Sequence, residues 1–435
     1  MSTHLPVYTM DFLWNIFNQN PQLAYQFYLI PLALVFYGLT MTGYLTLINR
    51  YICLMFGGAI LAVLTMGPYS ILLFITATMF VFLVHFVEPV DVHHWIFGLQ
   101  MCWQTFWHFY MQYQQYWLQE TADSRLLLAT SALMLLSQRV TSVSMDLQER
   151  KVCRPFGRTY QSKICSLIPF LSYTLYFPAL LGGPLCPFKS YVAFVEQMGC
   201  RTPPSPYAIV LWKILQVLFL LVLKYLLSSF LQLSIANLSS SQESPGLLWV
   251  WIFSLVLRLN YYTHWKISEC VNNAAGLGYC KGCLNGGELW NGLSDGNPLE
   301  IESSTRISMF ARRWNGTTAA WLRRLVFQRC SRAPQLMTFS FSALWHGLYP
   351  GHIVGFLGWA IAVQGDYKLH SYIKPKLTTP WKKGLYACVG WAYTQIVIGC
   401  IVLATELQSF VAVKLLWTTR IALVPLASVV ILIIL

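Results

Sequence analysis

Charge is almost absent from the first fifth of the chain. No Asp, Glu, Lys or Arg occurs from Phe12 to Asn49, and none between Arg50 and Glu88. Each stretch far exceeds the ~20 apolar residues that cross a bilayer as a helix. The pattern predicts spans near 25–47, 52–66 and 68–87, with Gly67 and Pro68 as the break between the last two. Residues 92–119 mix aromatic and polar side chains, from His93 and His94 to Tyr116 and Trp117. Trp and Tyr at that density predict an interfacial or bundle-lining helix. Further apolar runs lie at 126–137, 166–185, 207–236, 246–259, 335–363, 384–405 and 408–435. Several are short or broken by Pro and Gly, as at Pro169, Pro178, Gly182, Gly183 and Pro184.

That pattern predicts an all-α polytopic membrane protein of about ten to twelve transmembrane or re-entrant helices. Residues 1–435 are expected to form a single membrane domain, with no separate soluble domain and no internal repeat. Two polar segments interrupt the pattern. The first, 138–163, carries Arg139, Arg150, Lys151, Arg154, Arg158 and Lys163. The second, 264–334, begins Gly/Asn-rich and ends in a basic amphipathic helix. Between Glu302 and Asp366 there is no acid, whereas Arg306, Arg312, Arg313, Arg323, Arg324, Arg329 and Arg332 all fall there. The positive-inside rule puts both segments in the cytosol or at its membrane interface.

Composition agrees with the pattern. Of 435 residues, 56% are hydrophobic and 10% charged, against about 25% charged in an ordinary globular protein. Water alone cannot be the solvent of such a surface, which excludes a soluble enzyme, a disordered chain and a collagen-like one. The net charge of +13 points to cytosolic loops and anionic headgroups, with the bilayer and not nucleic acid as partner. Cysteines such as Cys53, Cys102, Cys388 and Cys400 lie in apolar runs, as small hydrophobes do. Cys280 and Cys283 form a C-x-x-C without a second pair or a His pair, so no zinc or redox site is expected there. Residues 1–10 lack Lys and Arg, so a cleavable signal is not expected and the first span is expected to target the chain.

His346 is the most informative residue. It lies in Phe339-Ser-Phe-Ser-Ala-Leu-Trp-His-Gly347, inside a stretch with no charged residue from Ala333 to Gly365. An ionisable group at membrane depth is costly and is a functional candidate by default. A neutral imidazole there can act as general base, although a core His hydrogen-bonded between helices is the bland alternative. Gly347, Pro350 and Gly351 favour the first, because they break the helix beside the His and leave room for a substrate. Asn315 lies in Arg312-Arg-Trp-Asn-Gly-Thr317, where the amphipathic helix begins on its way to about Phe327. Trp314, Trp321, Leu322, Leu325 and Val326 make its apolar face, flanked by Arg312, Arg313, Arg323 and Arg324. An Asn there can donate to a developing oxyanion or orient an imidazole. Asn315-Gly-Thr317 also fits a glycosylation sequon, as does Asn237-Leu-Ser239, but its basic, cytosolic setting argues against a glycan.

Three further patterns carry less. Gly292-Leu-Ser294-Asp-Gly296 matches the nucleophile elbow, yet it lies in a Gly/Asn-rich loop rather than between strand and helix. His85, His93, His94 and His108 crowd the third span and its successor, but no His boxes repeat as a haem or di-iron site would require. Broken helices would suit a transporter, for which paired inverted halves are missing.

With Arg313-Trp-Asn315, Trp345-His-Gly347 and Phe177-Pro-Ala-Leu-Leu-Gly-Gly-Pro184, the sequence resembles the membrane-bound O-acyltransferase family. The resemblance implies a helical bundle around a channel in which acyl-CoA and acceptor meet from opposite faces. It implies His346 and Asn315 as the catalytic pair. Arg312, Phe339 and Trp359 are implied to shape the acyl-donor site. No metal and no cofactor beyond the acyl-CoA co-substrate are implied. Longer stretches, at 138–142, 177–186, 261–265 and 306–328, resemble one member of the endoplasmic reticulum membrane. That member moves octanoyl from its CoA ester to a serine of a secreted peptide hormone. A lysophospholipid acyltransferase of the same family stays open as the alternative, and a lipid or acyl-CoA transporter as the non-enzyme alternative.

Overall fold

Capping residues fix several helix starts. Thr46 accepts from the Asn49 amide at 3.4 Å ahead of α2 (Leu47–Met66), and Asp123 accepts from the Arg125 amide at 2.9 Å ahead of α5 (Ser124–Gln148). Each satisfies an amide that the first helical turn leaves unpaired. The computed structural model describes residues 21–121, 123–152, 160–198, 205–241, 246–279, 290–407, 413–414 and 423–434. Cys280 and Cys283 lie outside them. The remaining helices, in order, are α1 (Pro21–Met41), α3 (Ile71–Phe86), α4 (Val92–Tyr116), α6 (Tyr160–Leu175), α7 (Phe188–Gln197), α8 (Tyr207–Ser241) and α9 (Leu247–Ala274). Then come the short α10 (Pro298–Glu302), α11 (Ile307–Arg313) and α12 (Gly316–Leu322), followed by α13 (Pro334–Trp345), α14 (Pro350–Ile373), α15 (Pro380–Glu406) and α16 (Leu423–Ile434).

Five stretches among the described residues are long and apolar enough to cross a membrane: 22–41, 47–86, 124–148, 207–234 and 380–406. Within 47–86 the break falls where Gly67 and Pro68 predict it, as a 3-10 turn at Gly67–Ser70. The chain divides into two compact units, Met1–Gln104 with Glu120–Val217 and His264–Ser294, and Thr105–Gln119 with Leu218–Thr263 and Asp295–Leu435.

In the first unit α2 packs on α6, and α3 packs on α5 and α6. The charges of 138–148 lie inside it, on the second half of α5, rather than in a loop. Arg139 is 4% exposed. Its guanidinium donates to the Thr174 carbonyl at 3.3 Å and to that of Ala179, and lies 4.8 Å over the Tyr176 ring. Two stretches that carry the family resemblance, 138–142 and 177–186, are thereby joined. The polar residues that open 264–334 are also buried, at the end of α9. Glu269 accepts from Lys213 Nζ and Lys266 Nζ, each at 2.8 Å, and from Ser294 Oγ at 2.6 Å.

In the second unit α14 is the centre, packed against α11, α13, α15 and α16. Gly351 and Gly355, four apart, let it approach α15 closely, in the small-x-x-x-small manner of membrane helices. A side chain at Gly355 would meet the Thr405 amide at 3.2 Å and the Ile401 carbonyl at 3.3 Å. Fully buried Arg258 donates through Nε to Glu302 Oε1 at 2.8 Å, where the Tyr262 hydroxyl also donates at 2.6 Å.

Candidate active site

The apolar run 335–363 breaks beside His346, where Gly347, Pro350 and Gly351 predict it. α13 ends at Trp345 and α14 begins at Pro350, with His346 as the C-terminal cap of the first. Gly347 turns the chain at φ +93°, a left-handed conformation that L side chains resist. His346 is half-buried. Its ring stacks on Phe356 at 5.0 Å between centroids and meets the edges of Trp345 at 4.9 Å and His352 at 5.9 Å. Among the described residues no hydrogen bond occupies either of its ring nitrogens.

Two other histidines brace the turn. His108 Nε2 donates to the Trp345 carbonyl at 3.2 Å, and His352 Nδ1 donates to the Gly347 carbonyl at 2.8 Å. A carbonyl only accepts, so in the neutral rings the lone pair falls on His108 Nδ1 and on His352 Nε2. Sequence reasoning grouped His108 with His85, His93 and His94 without giving it a role, and did not single out His352. The remaining members of that group, His85, His93 and His94, belong to the first unit, where His93 Nδ1 meets Ser144 Oγ at 2.9 Å.

Asn315 caps α12 from the left-handed region, at φ 45° and ψ 63°. Its Oδ1 accepts from the Thr318 amide at 3.3 Å, which leaves the Nδ2 hydrogens as its donors. The Thr317 hydroxyl of the sequon donates to Asp295 Oδ1. α12 packs its Trp321 on Trp345 at 5.1 Å and on Phe341 at 6.0 Å, so the helix that Asn315 starts rests on the helix that His346 ends. The expected amphipathic helix is present with one departure: after Leu322 it widens into a π-helical turn, Arg323–Phe327, closed by the Gln328 amide on the Arg323 carbonyl at 2.9 Å. Trp321 and Leu325 of its apolar face are buried.

Phe339 and Trp359 come together at 5.8 Å. Trp359 continues to Phe310 at 6.4 Å, Phe310 stacks on Trp314 at 5.7 Å, and Trp314 meets Tyr261 and Tyr262 at 5.5 and 5.6 Å. This aromatic row leads from Phe339 to the neighbour of Asn315. Among the described residues, Trp359 Nε1, buried in it, has no hydrogen-bond partner. Arg312 is exposed and donates to the Tyr367 hydroxyl at 2.9 Å, whereas Arg313 turns back onto the Glu300 carbonyl at 2.7 Å. Ser294 of the elbow-like pentapeptide gives its hydroxyl to Glu269.

Residues 82–403 match the MBOAT, membrane-bound O-acyltransferase family, a span that takes in every residue of this site. The chain belongs to the membrane-bound O-acyltransferase family. It is a multi-pass membrane enzyme. This O-acyltransferase is 39% identical over 406 residues to the membrane-bound ghrelin O-acyltransferase MBOAT4 of Rattus norvegicus, with 92% of each chain covered. It is 39% identical over 405 residues to the protein of that name in Mus musculus, again with 92% of each covered. Membrane-bound glycerophospholipid O-acyltransferase 2 of Rattus norvegicus is 29% identical over 309 residues, covering 64% of this chain and 58% of that one.

Proposed function

We propose that this enzyme transfers a medium-chain acyl group, octanoyl, from its CoA ester to a serine hydroxyl of ghrelin at the endoplasmic reticulum membrane. The observation that carries this is the 39% identity over 92% of both chains to two ghrelin O-acyltransferases. The glycerophospholipid enzyme shares 29% over 64% of the chain.

In the proposed reaction the unoccupied imidazole of His346 takes the proton of the acceptor serine as its oxygen attacks the thioester carbon. The C–S bond then breaks, and CoA leaves as the thiol with that proton. Asn315 donates from Nδ2 to the oxyanion that develops on the thioester oxygen. Arg312, an exposed fork suited to phosphate oxygens, meets the CoA phosphates. Phe339 and Trp359 line the acyl chain.

Microsomes expressing the chain are given octanoyl-CoA with a ghrelin N-terminal peptide or with a panel of lysophospholipids, and product and free CoA are measured. Acylated peptide is expected. General-base help is typically worth about 10²–10⁴-fold and one oxyanion donor about 10²–10³-fold. His346→Ala and Asn315→Ala should therefore lose most turnover at unchanged expression. Acylated lysolipid with unmodified peptide would overturn the acceptor. No CoA release with any acceptor would overturn the mechanism, as would a His346→Ala variant of normal rate.

A further inference from the structure

Asn315 holds a backbone conformation that its residue type tolerates but does not impose. A non-glycine residue in the left-handed region carries strain and stays there only where its surroundings over-determine it. Those surroundings include the dipeptide Asp295-Gly296. The Asp295 carbonyl accepts from the Gly316 amide at 2.7 Å, and its carboxylate accepts from the Thr317 hydroxyl. Gly296, at φ +148°, lies against the Arg313 carbonyl, which a Cβ there would approach to 2.9 Å. The chain on both sides of Asn315 thus meets the same two residues, 316–317 through hydrogen bonds and 313 through close approach.

Asp295 is 3% exposed. Burying a carboxylate is costly unless it is hydrogen-bonded, and here the Thr317 hydroxyl donates to it. A carboxylate adds an acceptor that cannot donate, which fixes the direction of the Thr317 bond. That bond lies in the first turn of α12, where the Asn315 side chain caps the Thr318 amide.

We propose that Asp295 is a positioning residue for acyl transfer, holding the Arg313–Thr317 turn so that Asn315 can donate to the thioester oxygen; this rests on the role given to Asn315 above. The pentapeptide that imitates a nucleophile elbow then serves the reaction through Asp295 and Gly296, not through Ser294.

The test uses the full chain in microsomes, with octanoyl-CoA and a ghrelin N-terminal peptide, and reads kcat and KM separately. Asp295→Ala and Thr317→Val should lower kcat by roughly 10–100-fold, the scale of a small misplacement of a reacting group, while KM for octanoyl-CoA stays put. Thr317→Ser, which keeps the hydroxyl, should recover the rate. Asp295→Ala placed on Asn315→Ala should add no further loss, because residues that act through one another are not additive. A double variant that loses the full factor again would show general structural support and overturn the proposal. So would a Thr317→Ser variant as slow as Thr317→Val, a pair that stands in for Asp295→Ala if that chain does not fold. Normal kcat in Asp295→Ala beside an impaired Asn315→Ala overturns the positioning role alone. Normal turnover in Asn315→Ala overturns the catalytic reading and this proposal with it.

Discussion

One methyl group at Gly347 tests whether the turn after α13 sets the place of His346. Gly347→Ala keeps every hydrogen-bonding group, yet an L residue at φ +93° bears roughly 1–2 kcal/mol of left-handed strain. The new Cβ would also lie 3.0 Å from His108 Nδ1, 3.3 Å from His108 Cγ and 3.4 Å from Tyr349 Cε2. His108 cannot retreat freely, because its Nε2 is tied to the Trp345 carbonyl, one residue before His346. Either the imidazole moves and pulls on that carbonyl, or the turn relaxes and carries His346 with it. A displacement of about 1 Å at a reacting group costs on the order of 10²-fold in rate, so kcat should fall by about that factor. Gly358→Ala is the matched control. It adds the same methyl to α14 where none of the described residues lies within 4 Å, and replacing a helical Gly by Ala favours the helix by about 1 kcal/mol. Turnover of octanoyl-CoA in microsomes, normalised to protein by immunoblot, should stay at the normal level for Gly358→Ala. A Gly347→Ala enzyme with normal kcat would refute the view that this turn places His346.

Three further substitutions follow from contacts outside the turn. Gly355→Leu should separate α14 from α15, since the Thr405 amide and Ile401 carbonyl leave no room for a side chain; the yield of monodisperse protein in detergent should drop sharply. Arg306→Ala leaves Asp366, 8% exposed, with the Ser308 amide but without its ion pair at 2.9 Å, at up to about 3–5 kcal/mol, and a lowered Tm in detergent should recover in part when Asp366→Ala is added. Arg312→Ala should raise KM for octanoyl-CoA with kcat little changed, and an unchanged KM would leave this arginine only its bond to Tyr367.

Periodicity and breakers made the helical framework legible, down to the turn at Gly67–Ser70 and the break between Trp345 and Pro350. The polar residues within it were not. Arg139 looked like loop charge because its partners are backbone carbonyls freed at Thr174 and Ala179, and a free carbonyl has no sequence signature. His346 could be found because an ionisable group stands out in a run without charges. His108 could not, because its bond to Trp345 joins positions 237 residues apart, and Asp295 stood inside a motif that pointed to its neighbour Ser294.

Both residues proposed for catalysis sit at helix ends, Asn315 opening α12 and His346 closing α13. A helix interior leaves no backbone group free, whereas each end frees several amides or carbonyls. In an apolar chain those groups must find partners within the protein. The polar side chains around the site supply them: His108 and His352 for the carbonyls of Trp345 and Gly347, and Asp366 for the Ser308 amide at 3.2 Å where α11 begins. Each bond that satisfies a broken helix also fixes the direction of the residue at the break. Groups fixed before the substrate arrives can meet developing charge without reorganising, and in low dielectric that electrostatic help is stronger than in water. The requirement that makes broken helices costly in a membrane is therefore the one that orients Asn315 and His346.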